Sequence, residues 1–347
     1  MTSSPELATK GWVDTAALLE QARICESNGA LRDAESVYNA LIVAAVRQDD
    51  QAALAEAFRR RAVLAHQAGD SARARSALQQ SYAVATSIGD HRLTAETLNT
   101  LGGLELETRN LTAAESALTE AAKFAGDCPS VLARVSQNLG IVANIRGDHA
   151  SAERYYRRSL EAYRALGDPH GSAIAQHNLG MLAADRGDHR RAVAHYEACE
   201  ELTQASGDSH LAGLSLVNHA EALLALGRPT AARNAIETAE RSLEALGAHF
   251  DACDVQRVLA LCDRAEGSLS RAEARLLRAR ELAQMTDARL TEAEVARDLG
   301  RMYTETGRID EARKALGDAA RTFAELGATA DADATTHELS SLVGLSS

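Results

Sequence analysis

Residues 178–196 read Asn178-Leu179-Gly180, then Asp185-Arg186-Gly187-Asp188-His189, then Ala192 and Tyr196. Forty residues earlier the chain reads Asn138-Leu139-Gly140, then Ile145-Arg146-Gly147-Asp148-His149, then Ala152 and Tyr156. Self-similarity at a fixed period is the signature of a repeat architecture, and it decides the fold class before any local propensity does. The turn column of the repeat runs Gly29, Gly69, Arg109, Gly147, Gly187, Gly227, Gly267 and Gly307, with a spacing of 40 throughout except 38 between Arg109 and Gly147. These are eight repeats.

Each column has a mechanical meaning. Seven residues before the turn stands a small residue: Ala22, Ala62, Gly102, Gly140, Gly180, Ala220, Ala260 and Gly300. Five residues after it stands Ala34, Ala74, Ala114, Ala152, Ala192, Ala232, Ala272 or Ala312. Small residues at two fixed sites let a pair of antiparallel helices approach closely. Four residues further come large side chains, Tyr38, Leu78, Leu118, Tyr156, Tyr196, Ile236, Leu276 and Leu316, expected to act as knobs between neighbouring units. The turn glycine ends the first helix with a left-handed cap. Pro229 opens a second helix, where its missing N–H costs nothing.

Composition agrees. Alanine, the best helix former, is the commonest residue, against 4 Pro, 4 Phe and 1 Trp in 347 residues. Strands of a sandwich or a doubly wound sheet need β-branched and aromatic residues that this chain lacks. The apolar fraction of 46% is too high for a disordered chain. The expected fold is all-α.

The pattern resembles the tetratricopeptide repeat over about residues 12–326, on the small residue, the turn glycine, the alanine and the large residue at the family's relative offsets. The longer period is similar to that of kinesin light chains, spindle-orientation adaptors and some bacterial regulators. The family's early Trp is absent, its Tyr survives mainly as Tyr303, and Arg109 replaces a turn glycine. The resemblance implies a right-handed α-solenoid superhelix whose first helices line the concave side. First helices are expected at 12–28, 50–68, 91–108, 129–146, 169–186, 209–226, 249–266 and 289–306. Second helices are expected at 31–48, 71–88, 111–126, 149–166, 189–206, 229–246, 269–286 and 309–326. A tail at 1–11, a single solenoid domain at 12–326 and a capping helix (329–343) with tail in 327–347 complete the organisation.

Groove positions of the first helices lie at offsets −6, −3, −2, +1 and +4 from the small residue. At −2 the central repeats carry Asn138, Asn178 and Asn218. Asn is a poor helix-interior residue, but its amide both donates and accepts, which suits an extended peptide backbone. Peptide-clamping members of the family are similar in this respect. Asn99 and Asn144 extend the ladder. The alternative is that duplication copied an idle asparagine that only packs locally.

Around the ladder, Ile141 and Met181 form an apolar floor, and His177 projects towards the groove as a polar contact. Arg134 stands nearest the asparagines; Arg257, Arg264, Arg297 and Arg301 lie on one side, Arg59, Arg60 and His66 on the other. Guanidinium groups there suit carboxylates of a partner, or else they pair with groove acids such as Glu56, Glu96, Asp254, Asp298 and Glu305.

No phosphate loop, zinc helix, nucleophile elbow or EF-hand loop is present in the sequence, so neither catalysis nor a cofactor is expected. His195 and Cys199 stand at i, i+4, a spacing open to a metal but better explained by packing, so no metal is expected. A net charge of −12 gives no footprint for nucleic acid or an anionic membrane. No secretion signal or spanning stretch is read, and five cysteines without a CxxC pair suit a reducing cytoplasm. The expected function is a non-catalytic adaptor holding a protein segment or extended peptide, acidic groups included. The alternative is a sensor that responds to such a partner and acts on a separate effector in trans. Self-association through the end repeats is a further expectation.

Overall fold

Seven turn glycines close their hairpins in the left-handed region, with φ from 70° at Gly227 to 80° at Gly69. Arg109 holds the same conformation, φ 60°, with a side chain. A left-handed residue with a Cβ costs about 1–2 kcal/mol. Arg109→Gly is therefore expected to raise stability by about 1 kcal/mol, part of the relief being offset by the freer unfolded chain; chemical denaturation checks the direction.

The computed structural model describes residues 13–126, 128–247 and 252–342. The expected tail at 1–11, the entry of the first helix at 12, Asp127 between the third and fourth repeats, residues 249–251 of the seventh leading helix and the end of the chain from Val343 lie outside the described residues. Seventeen helices and no strand occur among the described residues.

The chain divides into two compact units, Met1–Gly167 and Asp168–Ser347. The first contains four hairpins: α1 (Thr15–Ser27) with α2 (Leu31–Gln48), α3 (Gln51–Gln67) with α4 (Ser71–Ser87), α5 (His91–Glu107) with α6 (Leu111–Phe124), and α7 (Pro129–Ile145) with α8 (His149–Ala165). The second contains α9 (Pro169–Asp185) with α10 (His189–Ser206), α11 (Ser209–Ala225) with α12 (Pro229–Ala245), α13 (Ala252–Ala265) with α14 (Leu269–Met285), and α15 (Arg289–Glu305) with α16 (Ile309–Glu325). Helix α17 (Thr329–Ser341) follows them. These bounds fall within a few residues of the expected ones wherever they are described.

Aspartate explains why helices start where they do. Asp50, Asp90, Asp168 and Asp208 cap leading helices, and Asp70, Asp148 and Asp188 cap second helices, each accepting from the backbone N–H three residues on. Such a cap contributes about 1 kcal/mol by satisfying an orphan donor.

The small and large columns meet inside each hairpin. A Cβ placed on Gly180 would lie 2.5 Å from the Tyr196 ring, and one on Gly140 2.5 Å from that of Tyr156. Leu118 sits on Gly102 and Leu316 on Gly300 in the same way. The knobs therefore seat first on their own leading helix. Tyr196 also reaches the next one, with its ring 6.3 Å from that of His219 on α11. The alanine column is fully buried, including Ala192. Ala192→Leu overpacks this contact and is expected to cost about 1–3 kcal/mol; an unchanged urea midpoint would show the register to be wrong.

Candidate functional site

Leading helices place their −6, −3, −2, +1 and +4 side chains on one face by helical spacing. In the first unit this face is a chain of matched charges. Arg59 pairs with Glu56 at 2.6 Å and with Glu96 at 3.7 Å. Arg23 reaches Glu56 at 3.2 Å, Arg134 reaches Glu96 at 3.3 Å, and Arg60 pairs with Glu26. Glu56 is buried, which alone would raise its pKa, but the Arg59 and Arg23 guanidinium groups hold it below the usual range. His66 pairs with Glu107.

The asparagines of this unit have partners of their own. The Asn138 amide donates to Asn99 Oδ1 at 3.1 Å, joining α7 to α5. Asn144 Oδ1 lies 3.2 Å from Nδ1 of His149. Asn99, Asn138, Ile141 and Asn144 are half-buried, and Arg134 is exposed.

The second unit differs. Asn178 is half-buried, and its Nδ2 is buried with no hydrogen-bond partner among the described residues. The preceding residue, His177, has Nδ1 in the same condition. Burial pushes the His177 pKa down to about 4, so the imidazole is neutral at pH 7. Its ring lies 5.9 Å from that of Tyr196. Met181, one turn beyond Asn178, is 40% exposed, and Asn218 on α11 is half-buried. An amide donor, a neutral ring nitrogen and an exposed thioether thus stand together on one turn and a half of α9.

Further along, each predicted arginine is matched by carboxylates. Arg257 is buried and bonded to Glu221, to Glu294 at 3.2 Å and to Asp298 at 3.3 Å. Arg297 pairs with Asp331 at 2.6 Å and lies over the Phe323 ring at 5.0 Å. Arg301 bonds Glu338 at 2.5 Å, and Arg264 bonds Glu305. Arg257, Arg297 and Arg301 therefore face acids of the chain itself.

Sequence reasoning passed over four residues that shape this face. Glu221 and Glu294 occupy stripe positions but carry the sign opposite to the one sought. Gln176 bonds His195 Nδ1 at 2.7 Å, and His219 bonds Glu200 at 2.7 Å; both lie off the stripe, so no periodic signal marks them. His195 thus has an amide partner, and no group of three His, Cys, Asp or Glu able to hold a metal occurs among the described residues. No described helix is long and apolar enough to cross a membrane.

The sequence profile of the tetratricopeptide repeat matches residues 54–126, 131–205 and 171–245, together more than half of the chain. The chain belongs to the tetratricopeptide repeat family. Its fold is that of a tetratricopeptide repeat α-solenoid. Among solved structures, this tetratricopeptide repeat chain is similar to the apo form of RapI, at a TM-score of 0.68 and 16% identity over 94% of this chain and 97% of that one. It is similar to a Rap protein complexed with Competence and Sporulation Factor, at a TM-score of 0.62 and 14% identity over 95% and 98%. A third similar structure is a signal transduction ATPase with numerous domains from Pyrococcus horikoshii that carries a tetratricopeptide repeat sensor. Its TM-score is 0.66 with 17% identity, over 93% of this chain and half of that one. No curated protein matches the sequence.

Proposed function

We propose that the protein is a non-catalytic scaffold that holds an extended peptide segment of a partner against the leading helices of its second unit, with Asn178 and Asn218 bonding the segment's main chain. One observation carries this reading: the buried, unpartnered Nδ2 of Asn178, beside an equally unpartnered Nδ1 of His177. A buried polar group without a partner costs about 1–3 kcal/mol. Both residues are half-buried, and turning their side chains outward on docking lets a carbonyl and an N–H of the segment relieve both atoms. Asn138 and Asn99, by contrast, already satisfy each other, so the binding set begins at α9 rather than at α5.

The exposed Met181 supplies a soft apolar seat for a side chain between main-chain contacts. The likeness in fold to a Rap protein complexed with Competence and Sporulation Factor supports a partner bound by this architecture. The self-matched arginines favour a segment recognised through its backbone over one recognised through acidic side chains.

Selection from a displayed library of extended peptides tests the proposal. Enriched peptides are expected to lose about 5- to 100-fold in affinity when Asn178 and Asn218 are both changed to Ala, since each neutral hydrogen bond contributes about 0.5–1.5 kcal/mol. The triple variant that also changes Asn138 to Ala is expected to bind no worse than the double one, while helicity and melting stay near wild type. Full retention of binding by the double variant would remove the asparagines from the account.

A further inference from the structure

One nitrogen of the second unit serves two carboxylates. Arg257 Nη2 on α13 bonds Glu221 of α11 and, at 3.2 Å, Glu294 of α15. Nη1 of the same guanidinium reaches Asp298 of α15 at 3.3 Å. A single buried cation therefore ties three successive leading helices together, and the carboxylates around it outnumber it.

The neighbours have other help. Asp298 is also approached by Arg301 at 3.7 Å. Asp254 of α13, a further charge beside the cluster, accepts from the Thr291 hydroxyl at 3.0 Å. Arg297, on the same helix as Glu294, is drawn towards Asp331 of α17 at 2.6 Å. Glu294 is left to share one nitrogen with Glu221, and two carboxylates on one cation cannot both be ionised without cost.

We infer that the Glu221–Arg257–Glu294 junction is a proton-operated joint, closed when Glu294 is protonated and loosened when it ionises, that sets the spacing of α11, α13 and α15. Burial raises the Glu294 pKa; Arg257 and Arg297 oppose this, Glu221 and Asp254 add to it, and the result is about 7. Ionisation then falls where a modest change of pH operates it. Glu221 stands three residues from Asn218 on α11, so the joint abuts the proposed docking face. It does not depend on that proposal, because its test uses no ligand.

The sign follows from linkage. A carboxyl whose pKa is raised by folding leaves the folded state holding the proton while the unfolded state has released it, so stability falls as pH rises from the ordinary carboxylate range to about 7 and then levels off. Glu294→Gln fixes the neutral form. Urea unfolding of wild type and Glu294→Gln, compared from pH 5 to 8.5, cancels every other titrating group, His177 included. The wild-type folding constant is expected to fall relative to the variant by about tenfold per pH unit up to pH 7, and no further above it. Native-state amide exchange in α13 and α15 is expected to quicken in wild type relative to Glu294→Gln from pH 5 to pH 7, in step with the folding constant, and to keep a constant ratio above pH 7. Glu221→Gln relieves the competition and is expected to move the levelling point down by roughly one pH unit. Parallel wild-type and Glu294→Gln profiles across the range, or a levelling point unmoved by Glu221→Gln, would overturn the joint.

Discussion

Tyr196→Ala is expected to destabilise the protein by about 3–5 kcal/mol, the range for deleting a large buried aromatic side chain. Tyr196 is fully buried. It belongs to a cluster with Ala183, Ala192, Val217, Ile236 and Leu259 that runs through three successive hairpins of the second unit. The seat beneath it is Gly180, which has no side chain to relax into the space left behind. Ala192, close by on α10, is equally short. Such a site cannot collapse, and the cost of a cavity grows with the volume that stays empty. Burial holds the phenol pKa far above its ordinary value, so the hydroxyl is neutral across the working range. Urea titration followed by circular dichroism measures the effect. Because repeat stability is a sum of unit and interface contributions, the loss is expected to appear in the second unit's transition, with protection of α3–α6 amides unchanged.

Arg257→Leu is expected to cost a similar amount, about 3–5 kcal/mol, for an electrostatic reason. Arg257 is 7% exposed, and the surrounding carboxylates hold its pKa well above even the usual arginine value despite burial. Removing it leaves Glu221, Glu294 and Asp298 facing one another, and a buried charge without a counterion is more destabilising than the pair was stabilising. Leucine fills part of the volume, so packing loss is the smaller part. The two causes separate on acidification: the Arg257→Leu deficit is expected to shrink as the pH falls from 8 to 5, since protonation removes the repulsion, whereas the Tyr196→Ala deficit is expected to stay flat. A flat deficit for Arg257→Leu would assign it to packing alone.

The architecture was legible because repetition multiplies weak signals. No single helix declares itself strongly, yet the turn glycine (Arg109 apart), the alanine and a large side chain recur in all eight repeats, and those columns are the glycine caps and the knobs of the structure. The pairs Gly89-Asp90, Gly167-Asp168 and Gly207-Asp208, which separate one repeat from the next, were visible as well; capping turns these aspartates from punctuation into the reason helices begin there.

The site was legible in part. Helical spacing placed Asn138 and Asn178 on leading helices with the same register, but it carries no information on what their amides meet. Asn138 donates to Asn99, at offset −3 of the repeat before it, whereas the corresponding position one repeat before Asn178 is Gln137, whose Oε1 accepts from the Tyr163 hydroxyl, and Asn178 Nδ2 has no partner among the described residues. The alternative that the arginines pair with groove acids holds for Arg59 with Glu56 and Glu96, Arg257 with Asp298 and Arg264 with Glu305, while Glu221, Glu294 and Glu338, each about one repeat from its arginine in sequence, do not read as partners. Long-range pairing is decided by packing, which a periodic reading does not supply.

The most direct test of the docking account is the side-chain amide resonance of Asn178 in labelled protein, followed while a library-selected peptide is titrated. The account predicts a large shift of that resonance, accompanied by those of Asn218 and the Met181 methyl and absent when the peptide's main-chain amides are methylated. Saturable binding that leaves the Asn178 resonance in place, and moves signals from α10 and α12 instead, would contradict it.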